Sequence, residues 1–362
     1  MTKTPTYWDY LNLEKLLDSQ GGLSNDEASV SEDEMHFIIV HQVFELWFKL
    51  AINEITLIRN TMSSTQIEEK QIPFIVQHIN RLVEIFKLSA RHFKLMETLT
   101  PQDFLVFRSE LGTASGFQSF QLREIELLLG LSNEEREKQG HSDPIEYLLK
   151  IVKETEFENN IKKRLVKLKT EPSLKDVLYD WLYRTPILGS TPKEKEDEKI
   201  ISKFTNEYLY KIDEINQSQL KIMQKDGLDI SRMEKSFRET YSQFENFLTN
   251  EDDNKMRRVK AAILFIESYR TLPLLAWPRL LIDKIVELEE QIVEFRFNHA
   301  RMVERIIGKR IGTGGSSGVD YIDQTTKYRI FPELWAIRSM LIDTKHLPNI
   351  INEDYYKFNS SN

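Results

Sequence analysis

The chain has 362 residues, a formal net charge of −8 and no cysteine, and its pI is about 5.6. An acidic chain lacks the positive surface that binds nucleic acid, so we expect no nucleic-acid partner. The absence of cysteine excludes disulfides, thiolate metal sites, iron–sulfur clusters and a cysteine nucleophile. The N-terminal residues lack the apolar core of a signal peptide, and the longest apolar stretches are too short and too charged to span a bilayer. We therefore expect a soluble, cytoplasmic protein with no membrane partner.

Most of the chain has the sequence pattern of α-helices. Apolar residues recur at i, i+3, i+4 and i+7, glycine is scarce, and no long run alternates as a strand does. The longest helical runs are 34–62, 73–99, 254–272 and 279–308. We predict an all-α fold, a helical bundle with long core helices, in a single domain that spans residues 1–362.

Shorter segments carry helix-end signals. Thr100 followed by Pro101 is typical of an N-cap and a first helical residue, so a helix is predicted to begin there. The apolar run before Gly130 is predicted to end at that glycine. The lysine- and glutamate-rich middle, about residues 131–255, is predicted to be an insertion of more polar helices on the outside, with an exposed loop at 188–199.

Two of the seven histidines, His41 and His299, stand in the middle of apolar helical faces. Those faces are formed by Phe37, Ile38, Phe44, Phe48 and Ile52 around His41, and by Ile285, Leu288, Ile292, Phe295, Met302, Val303 and Ile306 around His299. A histidine in this setting is commonly a hydrogen-bonded core residue. The alternative is that one histidine ligates a haem iron in an apolar slot while the other faces a substrate.

Arg108 shares a predicted helical face with Phe104, Phe107 and Leu111. A guanidinium among apolar side chains needs an anion, because a buried unpaired charge is costly. That anion is either a carboxylate of the chain itself or the carboxylate of a substrate, which arginine can bind through two hydrogen bonds.

The stretch GTGGSSG at 312–318 follows the predicted helix that carries His299. It lacks the lysine of a phosphate-binding loop and follows a helix rather than a strand, so phosphate is not its expected ligand. It is either a flexible linker or a loop whose N–H groups, Thr313, Ser316 and Ser317 order around a small polar ligand.

Four sequence blocks together resemble one family. They are YWDYLNLEKLLDSQ, DEMHFIIVHQVFELWFKL, DFLVFRSELGTASGFQSFQLREIE and NHARMVERIIGKRIGTGGSSG, in this order. On these blocks the chain resembles the tryptophan 2,3-dioxygenases, which are tetrameric haem enzymes. The blocks cover the N-terminal and C-terminal thirds of the chain, and no motif matches about residues 131–255.

The resemblance implies roles for residues around the cofactor. His299 would be the axial ligand of the iron of haem b, which is ferrous in the active form. Ser115 and Gly116 would lie near a haem propionate. His41 would be the catalytic residue on the other side of the haem, within reach of the indole N–H of L-tryptophan.

The resemblance also implies substrate contacts. Arg108 would bind the carboxylate of the amino acid, and Thr313 would hold its ammonium or carboxylate group as the glycine-rich loop closes. Phe37 and Phe104 would contact the substrate. The family implies a homotetramer in which an N-terminal segment enters a neighbouring subunit's pocket; the matching residues are Tyr7, Tyr10 and Leu11.

The implied reaction adds both atoms of O2 across the indole C2–C3 bond of L-tryptophan, giving N-formyl-L-kynurenine in the first step of the kynurenine pathway. One alternative is a haem-dependent monooxygenase acting on an indole or phenol amino acid, and another is a non-catalytic helical protein. Two residues depart from the family pattern, Glu32 where a histidine is common and His36 where a leucine is common. We expect neither to abolish activity.

Overall fold

The computed structural model describes residues 4–64, 67–68, 70–137, 143–151, 155–249, 253–310, 318–350 and 352–358. Over these ranges the chain forms sixteen α-helices and six short 3₁₀-helices, with no β-strand, which confirms the predicted all-α fold. The α-helices are α1 (Tyr7–Leu11), α2 (Leu13–Leu17), α3 (Glu32–Met62), α4 (Gln71–Met96), α5 (Pro101–Phe107), α6 (Phe120–Leu129), α7 (Asn133–Glu137), α8 (Pro144–Ile151), α9 (Glu156–Leu168), α10 (Leu174–Tyr183), α11 (Asp197–Lys225), α12 (Ser231–Thr249), α13 (Asn254–Ser268), α14 (Ala276–Ile307), α15 (Val319–Thr325) and α16 (Pro332–Arg338).

The four long predicted helices are confirmed as α3, α4, α13 and α14. At the start of α3 the hydroxyl oxygen of Ser31 accepts a hydrogen bond from the N–H of Glu34 at 3.2 Å, which satisfies one of the free N–H groups of the first turn. α14 ends before Gly308, whose φ of +60° lies in the left-handed region that glycine adopts without strain.

The ends of α5 and α6 show where local signals succeed and where they do not. Thr100 caps α5 by accepting a hydrogen bond from the N–H of Asp103 at 3.2 Å, and Gly130 ends α6 with φ +100°, both as predicted. α5 is shorter than its apolar pattern indicated, because it ends at Phe107 and turns follow. Arg108 therefore lies at the C-terminal cap of α5 and not on a continuing helical face.

The chain divides into two compact units, each made of three segments. The first comprises Met1–Leu57, Asn80–Glu171 and Leu288–Arg329, and the second comprises Ile58–Ile79, Pro172–Glu287 and Ile330–Asn362. The stretch 131–255 contributes residues to both units. The single domain with an outer insertion stays a prediction.

The first unit has an aromatic core supplied by α3, α4 and α14. The ring centre of Phe93 lies 4.7 Å from that of Phe44 and 5.0 Å from that of Phe295, and all three side chains are buried. Burial of a phenylalanine side chain contributes about 1.5–3 kcal/mol. These contacts hold together the three helices on which the site is built.

The second unit contains a buried ion pair. Arg258 of α13 donates to both carboxylate oxygens of Asp197, at 2.9 and 3.1 Å, and to the carbonyl oxygens of Tyr183, Thr185 and Ser190. Ser190 and Asp197 are buried for this reason, so the stretch 188–199 is only partly the exposed loop that its composition predicted.

Helix α3 is long and apolar enough to cross a membrane by length and composition alone, with a mean hydropathy of 1.3 over 18 residues, so the expectation that every apolar stretch is too short and too charged was wrong for this helix. Core helices of globular proteins pass the same test. Val40, Phe44 and Phe48 of α3 are buried within the protein.

Candidate active site

A cavity of about 190 Å³ lies in the first unit, with mostly apolar walls. Its lining comes from α3, α4, α5, the turn that follows α5, α6, α14 and α15. The structure brings together seven of the residues singled out from the sequence, namely Phe37, His41, Phe104, Arg108, Ser115, Gly116 and His299. The cavity is therefore the candidate active site.

His41 enters the cavity from α3 with a defined ring orientation. Its Nδ1 donates a hydrogen bond to the carbonyl oxygen of Phe37, one turn earlier, at 2.8 Å. Burial lowers the pKa of His41, although the bond to Phe37 partly offsets this, so the ring is neutral at pH 7. Because Nδ1 carries the only proton of the neutral ring, Nε2 has a free lone pair and can accept a hydrogen bond.

His299 enters the same cavity from α14. Burial, with smaller contributions from His41 and Arg123, lowers the pKa of His299 to about 4. The ring of Phe93 stacks on the imidazole with the centroids 5.2 Å apart and the planes 9° apart. A neutral imidazole held by stacking is suited to ligate a metal ion, because the ligating nitrogen must be free of a proton.

The aromatic wall beside His41 is built from α3 and α5. The ring centre of Phe37 lies 4.0 Å from that of His41 and 6.0 Å from that of Phe104. The guanidinium carbon of Arg108 lies 6.0 Å from the ring centre of Phe104. This arrangement places one cation at the edge of an apolar wall, which suits a flat aromatic ligand that carries a carboxylate.

The turn after α5 presents backbone to the cavity at Ser115 and Gly116. Ser115 caps a short 3₁₀-helix by accepting a hydrogen bond from the N–H of Phe117 at 3.4 Å. A Cβ atom added to Gly116 would meet no atom within 4 Å. The glycine therefore leaves open space at the cavity wall, where a bound group can approach the backbone closely.

Sequence reasoning missed a cluster of charges in the cavity wall. Glu126 of α6 accepts hydrogen bonds from Nη1 of Arg123 at 2.7 Å, Nη2 of Arg136 at 2.7 Å and Nη2 of Arg296 at 3.4 Å. Burial alone would raise the pKa of Glu126, but the three positive charges outweigh it and hold the pKa at about 2. We call Arg123, Arg136, Arg296 and Glu126 the arginine cluster. Arg123, Glu126 and Arg296 line the cavity.

Four of the residues singled out from the sequence are not among those that line the cavity. Tyr7, Tyr10 and Leu11 lie on α1, where they are 71%, 81% and 43% exposed. Thr313, with most of the glycine-rich loop, lies outside the described residues.

The residues present fit the haem expected from the sequence. His299 offers one imidazole that makes no hydrogen bond with the part of the chain that the structure describes. The walls are mostly apolar, and Gly116 leaves space at one edge, beside Ser115. A haem requires these features, namely one protein ligand, an apolar slot and an open edge for its polar groups.

Comparison with known proteins gives consistent matches over almost the whole chain. Residues 1–341 match the family model described as tryptophan 2,3-dioxygenase. The chain is 42% identical over 372 residues to a tryptophan 2,3-dioxygenase of Sorangium cellulosum, an alignment that covers 99% of this chain and 88% of that protein. It is 41% identical over 368 residues to tryptophan 2,3-dioxygenase 2 of Ralstonia nicotianae, with 98% of each chain covered. A tryptophan 2,3-dioxygenase-like protein of Xanthomonas campestris is 42% identical over 271 residues, which cover 72% of this chain and 98% of that protein.

Proposed function

The chain belongs to the tryptophan 2,3-dioxygenase family, and from that premise we propose that the cavity of its first unit binds haem b and L-tryptophan together. The protein is an oxidoreductase of tryptophan degradation. It catalyses the first step, in which O2 cleaves the indole C2–C3 bond of L-tryptophan to give N-formyl-L-kynurenine.

The observation that carries the proposal is that the imidazoles of His41 and His299 line one apolar cavity. His299 has a low pKa and no hydrogen-bond partner in the described chain, which suits a residue that would ligate iron. His41 has its Nδ1 engaged with Phe37 and its Nε2 free to accept. The imidazole of His299 is thus suited to hold iron, and that of His41 is suited to accept a hydrogen bond from a substrate.

When bound, ferrous haem supplies the oxygen chemistry, and the protein supplies binding and orientation. His299 would hold the haem through its imidazole. Ser115 and Gly116, where the wall is open, would contact its polar groups.

The remaining residues bind and orient the substrate. Nε2 of His41 accepts a hydrogen bond from the indole N–H. This bond fixes the position of the indole ring, and the reaction does not require His41 to remove the N–H proton. Phe37 and Phe104 contact the indole ring, and Arg108 binds the carboxylate. The apolar wall excludes water, so the contact between Arg108 and the carboxylate is stronger than it would be in solvent. Holding both ends of the amino acid in this way keeps C2 and C3 in a reactive position.

The haem ligand is tested by the absorption spectrum of His299→Ala. The parent protein, supplied with haem, ascorbate and L-tryptophan under air, should show the Soret band of a histidine-ligated haem and form N-formylkynurenine. His299→Ala should lose that band, whereas His346→Ala, at an exposed histidine, should keep it. An unaltered haem spectrum in His299→Ala would disprove the ligand assignment.

The carboxylate contact is tested by comparing tryptophan with tryptamine, which lacks the carboxylate. A charge-assisted hydrogen-bonded pair contributes roughly 1.5–3 kcal/mol, or roughly 10- to 100-fold in affinity. Arg108→Ala should raise KM for tryptophan by about that factor and leave weak tryptamine binding unchanged. Equal binding of the two ligands by the parent protein would contradict the contact.

We also propose the homotetramer of the family, with the N-terminal segment reaching a neighbouring subunit. The exposed aromatic side chains of α1 support this, because apolar side chains at the surface favour burial in a contact. Light scattering should give the mass of four chains. Replacing Tyr7 and Tyr10 by serine should raise KM for tryptophan, and an unchanged KM would exclude a role for the segment in the pocket.

A further inference from the structure

The arginine cluster holds more positive than negative charge inside the protein. Arg123, Arg136, Arg296 and Glu126 are each no more than 7% exposed. Three guanidinium groups face one carboxylate, so two positive charges are left over. Burial of uncompensated charge is costly unless it serves a bound group.

The part of the chain that the structure describes offers these arginines no second carboxylate. The neighbouring buried acid on α6, Glu124, is taken up by Arg164, which donates to both of its oxygens. Tyr328 contacts the cluster through its ring, 5.0 Å from the guanidinium carbon of Arg296 and 5.8 Å from that of Arg136. Such a contact stabilises the cations without cancelling their charge.

Several N–H groups of the cluster also lack a hydrogen-bond acceptor. Within the described ranges, Nε of Arg123 and both Nε and Nη1 of Arg136 are buried and have no partner. Among the described residues, Arg296 donates one hydrogen bond, to Glu126 at 3.4 Å. The cluster is therefore not a closed ion pair, and its excess charge acts on the cavity that Arg123 and Arg296 line.

The cluster lies close to the proposed iron ligand. Arg296 is on α14 three residues before His299, and the charge of Arg123 contributes to the low pKa of that histidine. A fixed positive charge disfavours a ferric centre more than a ferrous one, because the ferric centre carries one more positive charge. With an effective dielectric constant of about 20, one unit charge at about 10 Å changes such an equilibrium roughly tenfold.

We propose that the arginine cluster shifts the ferric–ferrous equilibrium of haem bound through His299 toward the ferrous state, the form that reacts with O2. This inference rests on the proposed function, since it requires haem in the cavity. It assigns Arg123 and Arg296 a role in setting the reduction potential, separate from the role of Arg108 in binding the substrate.

The test is the midpoint potential of the haem-loaded enzyme, measured spectroscopically during anaerobic titration with dithionite at constant pH and without tryptophan. Arg123→Gln should shift the one-electron equilibrium toward the ferric form about tenfold, a fall of about 59 mV. Arg123→Lys keeps the charge and should keep the parent potential. Arg301→Gln removes an arginine of α14 that pairs with Glu304 and Asp323 instead, and should also leave the potential unchanged.

Arg296→Gln provides an independent measurement from a second helix and should lower the potential in the same direction. Unchanged potentials in both glutamine variants would overturn the inference while leaving the proposed function intact. A fall in Arg123→Lys as large as that in Arg123→Gln would also overturn it, because the effect would then come from altered packing. If the parent protein binds no haem, the proposed function itself fails, and the two failures are thereby distinguished.

Discussion

The buried carboxylate of Glu126 should make the free energy of unfolding depend on pH, by an amount that follows from its surroundings. Its carboxylate is buried, accepts hydrogen bonds from three arginines and has a pKa of about 2, against an ordinary value of 4.5. The folded-state pKa is below the unfolded one, so the stabilisation is fully present above pH 4.5 and is lost as the pH falls toward 2. A carboxyl group whose pKa is lowered this far contributes a few kcal/mol of stability at pH 7, roughly 3 kcal/mol.

The perturbation is Glu126→Gln, which keeps the shape of the side chain and removes its charge. At pH 7 the variant should be less stable than the parent by about 3–5 kcal/mol, because three buried arginines lose their common anion. At pH 3 the carboxylate of the parent is still mostly ionised but contributes less than half of the stability that it contributes at pH 7. The difference between parent and variant should therefore shrink by about 2 kcal/mol between pH 7 and pH 3.

The assay is urea unfolding followed by circular dichroism at pH 7, 5 and 3, with free energies obtained by linear extrapolation. Glu84→Gln removes an exposed carboxylate that pairs with Lys87, and serves as the control; its difference from the parent should stay below about 1 kcal/mol at every pH. A difference for Glu126→Gln that is the same at pH 7 and pH 3 would refute the idea that the arginines hold this carboxylate ionised.

Three further predictions concern single residues. Gly116→Ala should leave the thermal unfolding temperature unchanged, since its Cβ meets no atom within 4 Å, but should weaken haem binding in a Soret titration; unaltered affinity would place the cofactor elsewhere. Phe93→Ala should cost about 3–5 kcal/mol in urea unfolding, because the ring packs on Phe44, Phe295 and His299, and a cost under about 1 kcal/mol would contradict that packing. Arg258→Lys should cost about 3 kcal/mol in the same assay, since lysine cannot reproduce the forked contact with Asp197; full stability of the variant would show that the contact is dispensable.

The positions of the long helices followed from the sequence because helix formation depends on local interactions. The spacing of apolar residues predicted α3, α4, α13 and α14, and short-range caps predicted the start of α5 and the end of α6. Local pattern was insufficient at Arg108, where apolar neighbours predicted a continuing helix but α5 ends at Phe107. Turns follow, and Gly112 within them has φ +54°.

The sequence also indicated which histidines to examine, because His41 and His299 interrupt apolar faces where a polar ring needs a reason to be buried. Whether either ring is neutral, and which nitrogen of His41 is free, depended on burial and on the bond to Phe37 in the folded chain. The proposed roles of Tyr7, Tyr10 and Leu11 depend on a neighbouring subunit.

The arginine cluster forms only in the tertiary structure and could not be predicted from the sequence. Arg123 and Glu126 lie one turn apart on α6, but Arg296 is 170 residues from Glu126 along the chain. An arginine on an amphipathic helix has the same local pattern whether it faces solvent or a distant carboxylate, because the charge that stabilises it contributes nothing to the periodicity around it. The sequence by itself therefore determined the four long apolar helices and the two histidines, and only the folding of α6 against α14 created the buried positive charge beside His299.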